Sequence, residues 1–366
     1  MGCLIKKPGI CTTVQDRGRI GYMGSGFAPS GVMDHRAMTI ANLLVENSPD
    51  DCVLEFVLTG PIMRFTTNTV IALTGGNFGA KLNGKPIPMY QAVPVQHGSI
   101  LDLGPCRQGV FGYLAIAGGS FDIPEIMGSK STNLKCGLGG FKGRPLSAGD
   151  YLPFTTRNLD FITHLESHRM PKDTFYSETM VKNEEDKNVQ TLRIIPGPQE
   201  NFFTQRGIKD FYSKTFSTSN KCDRMGFRLD GPIIETKHGS DIVSDGIAFG
   251  AVQIPSHGRP IIMLADRQTT GGYAKIGTVA SVDIPRLVQC PVNTEIRFKP
   301  ISVQEAQALI HKEAFDFQKL GKKFKLPCSG GVSPRRTARK LTPILEHQAR
   351  ISQGEQLWIA DNPDKE

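Results

Sequence analysis

Ile261-Ile-Met-Leu-Ala-Asp-Arg-Gln-Thr-Thr-Gly-Gly-Tyr273 couples an apolar run to a dense set of polar groups. Pro260 introduces Ile261 to Leu264, and that run predicts a short buried strand. An acid, a guanidinium, an amide and two hydroxyls follow at Asp266, Arg267, Gln268, Thr269 and Thr270. Gly271, Gly272 and Tyr273 then close the segment. Polar chemistry therefore begins at a strand end, beside glycines that let backbone approach a ligand closely. The same residues also suit a plain hairpin loop in which Asp266 and the threonines bond only their own turn.

Around this segment the chain reads as mainly β. Among 366 residues there are 39 Gly and 24 Pro, which favour many short strands and turns over long helices. Short apolar runs at 53–58, 69–73, 92–95, 100–103 and 110–116 are separated by turn residues, a spacing that suits a barrel or sandwich. One segment departs from this pattern. Between Met33 and Val45, apolar residues at 37, 40, 41, 44 and 45 follow Asp34, which predicts an N-capped helix lying on the sheet.

Length favours two domains. The expected division is a first β-rich unit over 1–165, a charged linker over 166–190, a second β-rich unit over 191–320, and a basic tail over 321–366. The second unit opens on Leu192-Arg-Ile-Ile195 and closes on Glu295-Ile-Arg-Phe298, with a helical pattern from 303. Arg19-Ile-Gly-Tyr22 and Arg224-Met-Gly-Phe227 echo one another across the halves, which suggests an internal duplication.

The net charge of +8 is concentrated near the C-terminus. From Lys312 to Arg350, ten Lys or Arg stand against Glu313, Asp316 and Glu346. The body is nearly balanced, so no nucleic-acid groove is expected. No apolar stretch reaches the length of a membrane span, and the N-terminus lacks a signal-peptide core. The eight cysteines form no C-x-x-C pair. A cytoplasmic protein without a membrane or metal site is expected.

A second polar cluster, Thr12-Thr-Val-Gln-Asp-Arg-Gly-Arg-Ile-Gly-Tyr22, matches the Asp266 run in composition, and the two could face one cleft. Ser30 and Gly31 precede the predicted helix, whose N-terminal amides could hold an anion, although Ser30 and Asp34 equally suit simple caps. Gly128-Ser-Lys-Ser-Thr132 lacks the spacing of a phosphate loop and reads as a polar turn. Cys222 beside Asp223 and Arg224 raises the idea of a lowered thiol pKa, with a spectator thiol as the plainer alternative.

Taken in order, these segments resemble the C subunit of 5-oxoprolinase. The likeness runs through Thr12–Tyr22, Ser30-Gly-Val-Met-Asp34, Leu54-Glu55, Leu82-Asn-Gly84, Gly128-Ser129, Arg224-Met-Gly-Phe-Arg-Leu229, Gly250-Ala-Val-Gln-Ile-Pro255 and Asp266–Tyr273, and covers about residues 4–310. The same family includes allophanate hydrolase subunit 2, the carboxyltransferase portion of urea amidolyase, and the antagonist of a bacterial histidine-kinase inhibitor. Gly75-Gly76-Asn77 departs from the family's usual pattern, and the basic tail is extra.

The resemblance implies two cyclophilin-like β-barrel domains that act with 5-oxoprolinase subunits A and B to open 5-oxoproline to glutamate. It implies ATP, with Mg, as co-substrate, held by this chain or by a partner subunit. Asp266, Arg267 and Gln268 are the expected catalytic residues. Arg19, Tyr22, Ser30, Arg224, Gln253, Thr269, Thr270, Gly271, Gly272 and Tyr273 are the expected substrate contacts. Two other readings remain open: a carboxyltransferase acting on urea or a related amide with a biotinyl partner, and a non-catalytic regulator that binds a protein like the B subunit. No biotin-attachment Met-Lys-Met occurs in the sequence.

Overall fold

The computed structural model describes residues 1–155, 165 and 189–325. Most of the expected linker and the tail beyond residue 325 therefore lie outside the described residues. Met1–Gly321 form one compact unit, and Lys322–Glu366 form a second.

Two sheets build the first half. One runs, edge to edge, through Tyr151–Pro153, Gly2–Lys7, Ile62–Phe65, Ile100–Asp102, Lys81–Leu82 and Lys85–Pro86. The other runs through Cys11–Gln15, Val53–Val57, Gln108–Ile116, Thr69–Asn77 and Ala92–Val95. Side-chain alternation sets their faces. In Ile62–Phe65, Met63 and Phe65 are buried while Arg64 is exposed. Ile71 and Leu73 join the core between the sheets. Their neighbours Val70 and Ala72 are buried on the opposite face.

That opposite face carries helix α1, His35–Leu44, which packs on the strands Thr69–Asn77 and Gln108–Ile116. Asp34 caps it as the sequence predicts, accepting from the Ala37 N–H at 2.8 Å. Thr74 Oγ1 donates to the Ala37 carbonyl at 2.7 Å. The central strands are therefore covered on both faces, which is why they read as continuous apolar runs rather than alternating ones.

The second half is a closed barrel. Its strands follow the order Val189–Pro196, Lys275–Val279, Ala251–Gln253, Ile261–Met263, Gly226–Asp230, Phe216–Thr218 and Glu295–Pro300. Closure is parallel, with Val189 opposite Glu295 and Ile194 opposite Pro300. Helix α2, Gln205–Ser213, is capped by Thr204 and places Phe211 against Phe298, with ring centroids 4.4 Å apart. A short helix α3, Ile284–Val288, precedes the last strand. Helix α4, Val303–Lys325, returns to the first half, where Glu313 meets His35 Nε2 at 2.9 Å and Arg36 Nη2 at 2.7 Å. The expected basic tail thus starts inside a helix.

Gln289, just after α3, plugs one half into the other. Its Oε1 accepts from the Val110 and Phe111 amides at 3.0 and 3.1 Å. Its Nε2 donates to Asp34 Oδ2 and the Phe111 carbonyl, both at 3.0 Å. Glycines make the room. A Cβ on Gly109, at φ +91°, would lie 2.8 Å from Gln289 Oε1, and one on Gly75, at φ +80°, would lie 2.4 Å from the Phe111 carbonyl oxygen. The Gly75-Gly76 departure from the family pattern therefore sits against this plug. The four-residue echo has no common local form: Arg19 to Tyr22 lies in a turn, whereas Gly226 and Phe227 begin a strand.

Inside the second half, Asp283 is wholly buried. It accepts from the Arg193 backbone N–H at 2.7 Å, from Arg193 Nε at 2.9 Å, and from Arg286 Nη2 at 2.5 Å. Burial alone would raise its carboxyl pKa, but the two guanidiniums outweigh burial and hold it below the usual carboxylate value. The stability this provides is present above the unfolded pKa of about 4 and is lost as pH falls through the lower native value. Asp283→Asn is expected to cost about 3 kcal/mol at neutral pH. Urea unfolding at neutral pH and in strong acid checks this, because the gap between variant and parent closes below about pH 4.

Candidate functional site

A cleft of about 900 Å³ opens between the halves. Phe56, Val110 and Phe111 from the first half and Met225, Phe227 and Pro291 from the second give it apolar walls. Glu55, Arg224 and Asp266 also line it. These three side chains form one ion cluster, with Glu55 buried and Arg224 and Asp266 largely buried beside it. Arg224 Nε donates to Asp266 Oδ2 at 2.8 Å, Nη2 donates to the Gly31 carbonyl at 2.7 Å, and Nη1 donates to Glu55 Oε1.

The strand Val53–Val57 places Glu55 directly opposite Tyr113. The Tyr113 hydroxyl donates to Glu55 Oε2 at 2.9 Å and accepts from the Asp34 N–H at 2.8 Å. The Met33 N–H adds a bond to the same Glu55 oxygen at 2.7 Å. Asp266 enters from the turn after Ile261–Met263, pinned by its own N–H to the Arg224 carbonyl at 2.8 Å. A continuous hydrogen-bonded path therefore runs from Gln289 through Asp34, Tyr113, Glu55 and Arg224 to Asp266.

Burial pushes the Glu55 carboxyl above its ordinary value, against the pull of Arg224, the Met33 amide and Tyr113. Burial also works against the charge of Arg224, but Glu55 and Asp266 outweigh it and raise its pKa. Arg224 stays charged at any working pH. Two carboxylates around one guanidinium give the cleft floor a negative excess whenever both acids are ionised.

Arg224 was expected to bind substrate, but its donors are taken up by protein oxygens. Glu55 and Tyr113, which hold it, were not among the expected site residues. Arg267 points away from Asp266. It is buried, donating through Nε to the Ile247 carbonyl at 2.9 Å and through Nη1 to the Leu264 carbonyl at 3.3 Å. Burial pushes its pKa down to about 10. Gln268 is exposed and Thr269 is half-buried. Thr270, Gly271, Gly272 and Tyr273 form a strand that pairs with Asp241–Gly246, and Tyr273 is exposed. Gln253 is buried, with Nε2 lacking a partner among the described residues.

Thr13 from the first polar cluster and Asp266 from the second line the same cleft. Gly31 accepts from Arg224, and Met23 Sδ lies 3.8 Å from Arg267 Nη2. Arg19 is fully buried, donating to the Ile126 and Ser131 carbonyls at 3.0 and 2.8 Å. Tyr22 is exposed beside the short turn Met23–Ser25. Ser30 does not cap α1; it sits at φ 56° with Oγ buried and unpartnered among the described residues. The idea of an anion at the N-terminus of α1 fails, because Asp34 fills that place itself. The Cys222 thiol is raised by burial rather than lowered.

The Gly128–Thr132 loop closes on Asp16, which accepts from the Lys130 N–H at 2.6 Å and from the Ser129 and Ser131 hydroxyls at 2.7 and 2.5 Å. A carboxylate thus holds the donors that a phosphate would use, so this loop does not fit a nucleotide. Among the described residues no group of three or more His, Cys, Asp or Glu is disposed to hold a metal ion. His164 and His168, which stand four apart in sequence, lie outside the described residues. No helix among the described residues is long and apolar enough to cross a membrane.

Comparison with known proteins fits this arrangement. The chain is 35% identical to the C subunit of 5-oxoprolinase from Escherichia coli (strain K12) over 302 residues, spanning 82% of this chain and 92% of that protein. It is 32% identical to the Haemophilus influenzae protein of the same name over 300 residues, spanning 82% and 91%. The crystal structure of the K. lactis urea amidolyase superposes with a TM-score of 0.77 at 28% identity, covering 87% of this chain but only 20% of that one. Residues 25–300, which carry Glu55, Arg224 and Asp266, match the family described as carboxyltransferase domain, subdomain A and B. On that match, and on the identity to its relatives, the chain belongs to this carboxyltransferase family.

Proposed function

We propose that the chain is the C subunit of an ATP-dependent 5-oxoprolinase and opens 5-oxoproline to L-glutamate together with subunits A and B. The observation that carries this reading is the match to two proteins named as the C subunit of 5-oxoprolinase, along 92% and 91% of their lengths. The reaction consumes 5-oxoproline, ATP and two waters and yields glutamate, ADP and phosphate. An unstrained lactam resists water, and transfer of the terminal phosphoryl group to its oxygen makes the ring carbon electrophilic. Water then adds at that carbon, and the ring C–N bond breaks with its electron pair going to nitrogen, which takes up a proton. A second water cleaves the acyl phosphate that remains. The phosphoryl transfer itself falls to a partner subunit, in keeping with the closed Gly128–Thr132 loop.

This chain's contribution centres on the cleft. Its apolar walls exclude bulk water, which strengthens polar interactions at the floor. Asp266 accepts the proton of the attacking water, and Arg224 fixes its orientation from behind. Glu55, tied to Tyr113 and the Met33 amide, keeps Arg224 in place. A carboxyltransferase acting on urea with a biotinyl partner is the second reading, favoured by the TM-score of 0.77 to urea amidolyase.

Glutamate and ADP release from 5-oxoproline and ATP is expected only when this chain is combined with candidate subunits A and B. Consumption of urea dependent on a biotin protein, in place of that release, would establish the second reading. In the reconstituted complex, Asp266→Asn should lower turnover by about a hundredfold or more while the assembly still elutes intact on size exclusion. Unchanged turnover would remove Asp266 from the chemistry.

A further inference from the structure

We propose that Thr13 determines specificity in the cleft, its hydroxyl donating to the carbonyl oxygen of a bound amide. The inference deepens the reading of the cleft as the place of amide chemistry and rests on it for the class of ligand, a lactam or a urea.

Thr13 lies in the strand Cys11–Gln15, where its register partner is Glu55. Glu55 in turn faces Tyr113, so Thr13, Glu55 and Tyr113 form one row across three neighbouring strands. Directly opposed residues of an antiparallel pair set their Cβ atoms about 5 Å apart on one face. The row therefore brings Thr13 beside the carboxylate that holds Arg224, and Thr13, Glu55, Arg224 and Asp266 all line the same cleft. Alternation along the strand puts Cys11, Thr13 and Gln15 on one face. Cys11 lines the cleft as well, whereas Gln15 is fully buried and does not reach it.

Gln15 decides what the Thr13 hydroxyl can do. Its Nε2 donates to Thr13 Oγ1 at 3.0 Å and to the Thr132 carbonyl at 3.1 Å. The carbonyl fixes which end of the amide faces Thr13, because a reversed amide would set oxygen against oxygen. Thr13 Oγ1 is thus an acceptor toward Gln15, and its own hydrogen finds no acceptor among the described residues. A hydroxyl has one donor to give. Thr13 is 2% exposed, so a bond made there is shielded from competing water. The floor around it is otherwise rich in acceptors. Glu55 and Asp266 are carboxylates, all three Arg224 nitrogens already donate to protein oxygens, and Thr218 Oγ1 donates to the Pro291 carbonyl at 2.6 Å. A carbonyl oxygen entering such a floor needs a donor, and Thr13 supplies it in the same cleft as the carboxylate proposed to take the proton of water.

Kinetics of the complex reconstituted with candidate subunits A and B test this, with 5-oxoproline and its thiolactam analogue, whose sulfur is the weaker acceptor, as alternative substrates. Thr13→Val keeps the shape and removes the hydroxyl, and should lower kcat/KM for 5-oxoproline by about tenfold or more. Thr13→Ser, which restores the hydroxyl, should recover most of that loss. The parent's preference for the lactam over the thiolactam should shrink in Thr13→Val by a similar factor. Unchanged kcat/KM in Thr13→Val, an unchanged preference, or a loss that Thr13→Ser does not recover overturns the proposal. Should Thr13→Val fail to enter the complex, Thr13→Cys, whose thiol is a weak donor of similar size, takes its place with the same expectation. A parent mixture that leaves 5-oxoproline untouched removes the 5-oxoprolinase reading alone. Urea consumption with a biotin protein then decides on Thr13 through the same variants, a loss in valine recovered by serine supporting the proposal and equal rates overturning it. Failure to consume either amide overturns both.

Discussion

Arg224 held between Glu55 and Asp266 is the interaction on which the rest of the molecule depends. One charge from each half faces a guanidinium that water barely reaches, and removing any member strands the others in a medium that penalises an unpaired charge. The cluster therefore acts as a registration device between two folded halves. It fixes which strand end meets which loop, and the cleft is the space left over once that register is set. Gln289 repeats the device with neutral groups, satisfying two amides and a buried carboxylate that would otherwise lack partners.

The buried arginines differ in which protein groups satisfy them. Arg224, Glu55 and Tyr113 are almost fully satisfied by one another and by backbone. Arg19 and Arg267 are buried as well, Arg19 bonded to two carbonyl oxygens and Arg267 to two carbonyl oxygens, the Met23 thioether and the face of the Phe249 ring.

Much of the first half was legible in the sequence. The apolar runs at 53–58, 69–73, 92–95, 100–103 and 110–116 all fall on strands, and Asp34 caps the one helix expected among them. Ile261 to Leu264 gave a strand where one stands, ending at Met263. Polar strands were hidden. Cys11–Gln15 buries Thr12, Thr13 and Gln15, and Thr270–Tyr273 carries two glycines, so neither shows the apolar pattern from which strands are read. The partners of Arg224 were out of reach for a different reason. Glu55 lies in the other half of the chain, and only the packing of the two halves brings it to the guanidinium. Nothing in the order of residues showed that Arg224 would be held by carboxylates and Arg267 by backbone carbonyls.

The closure of the second barrel carries a consequence for how the chain comes to be folded. Val189–Pro196, its first strand, pairs in parallel with Glu295–Pro300, its last. During synthesis the first half can assemble from strands already emitted, but the barrel keeps an open edge until its final strand leaves the ribosome. Non-local parallel pairing of this kind is slow to form and leaves strand edges exposed meanwhile. The already folded first half offers Glu55 and the Phe111 amides as a template against which the late barrel can settle. The order of translation thus gives the two halves different tasks, the earlier one serving as a mould for the later.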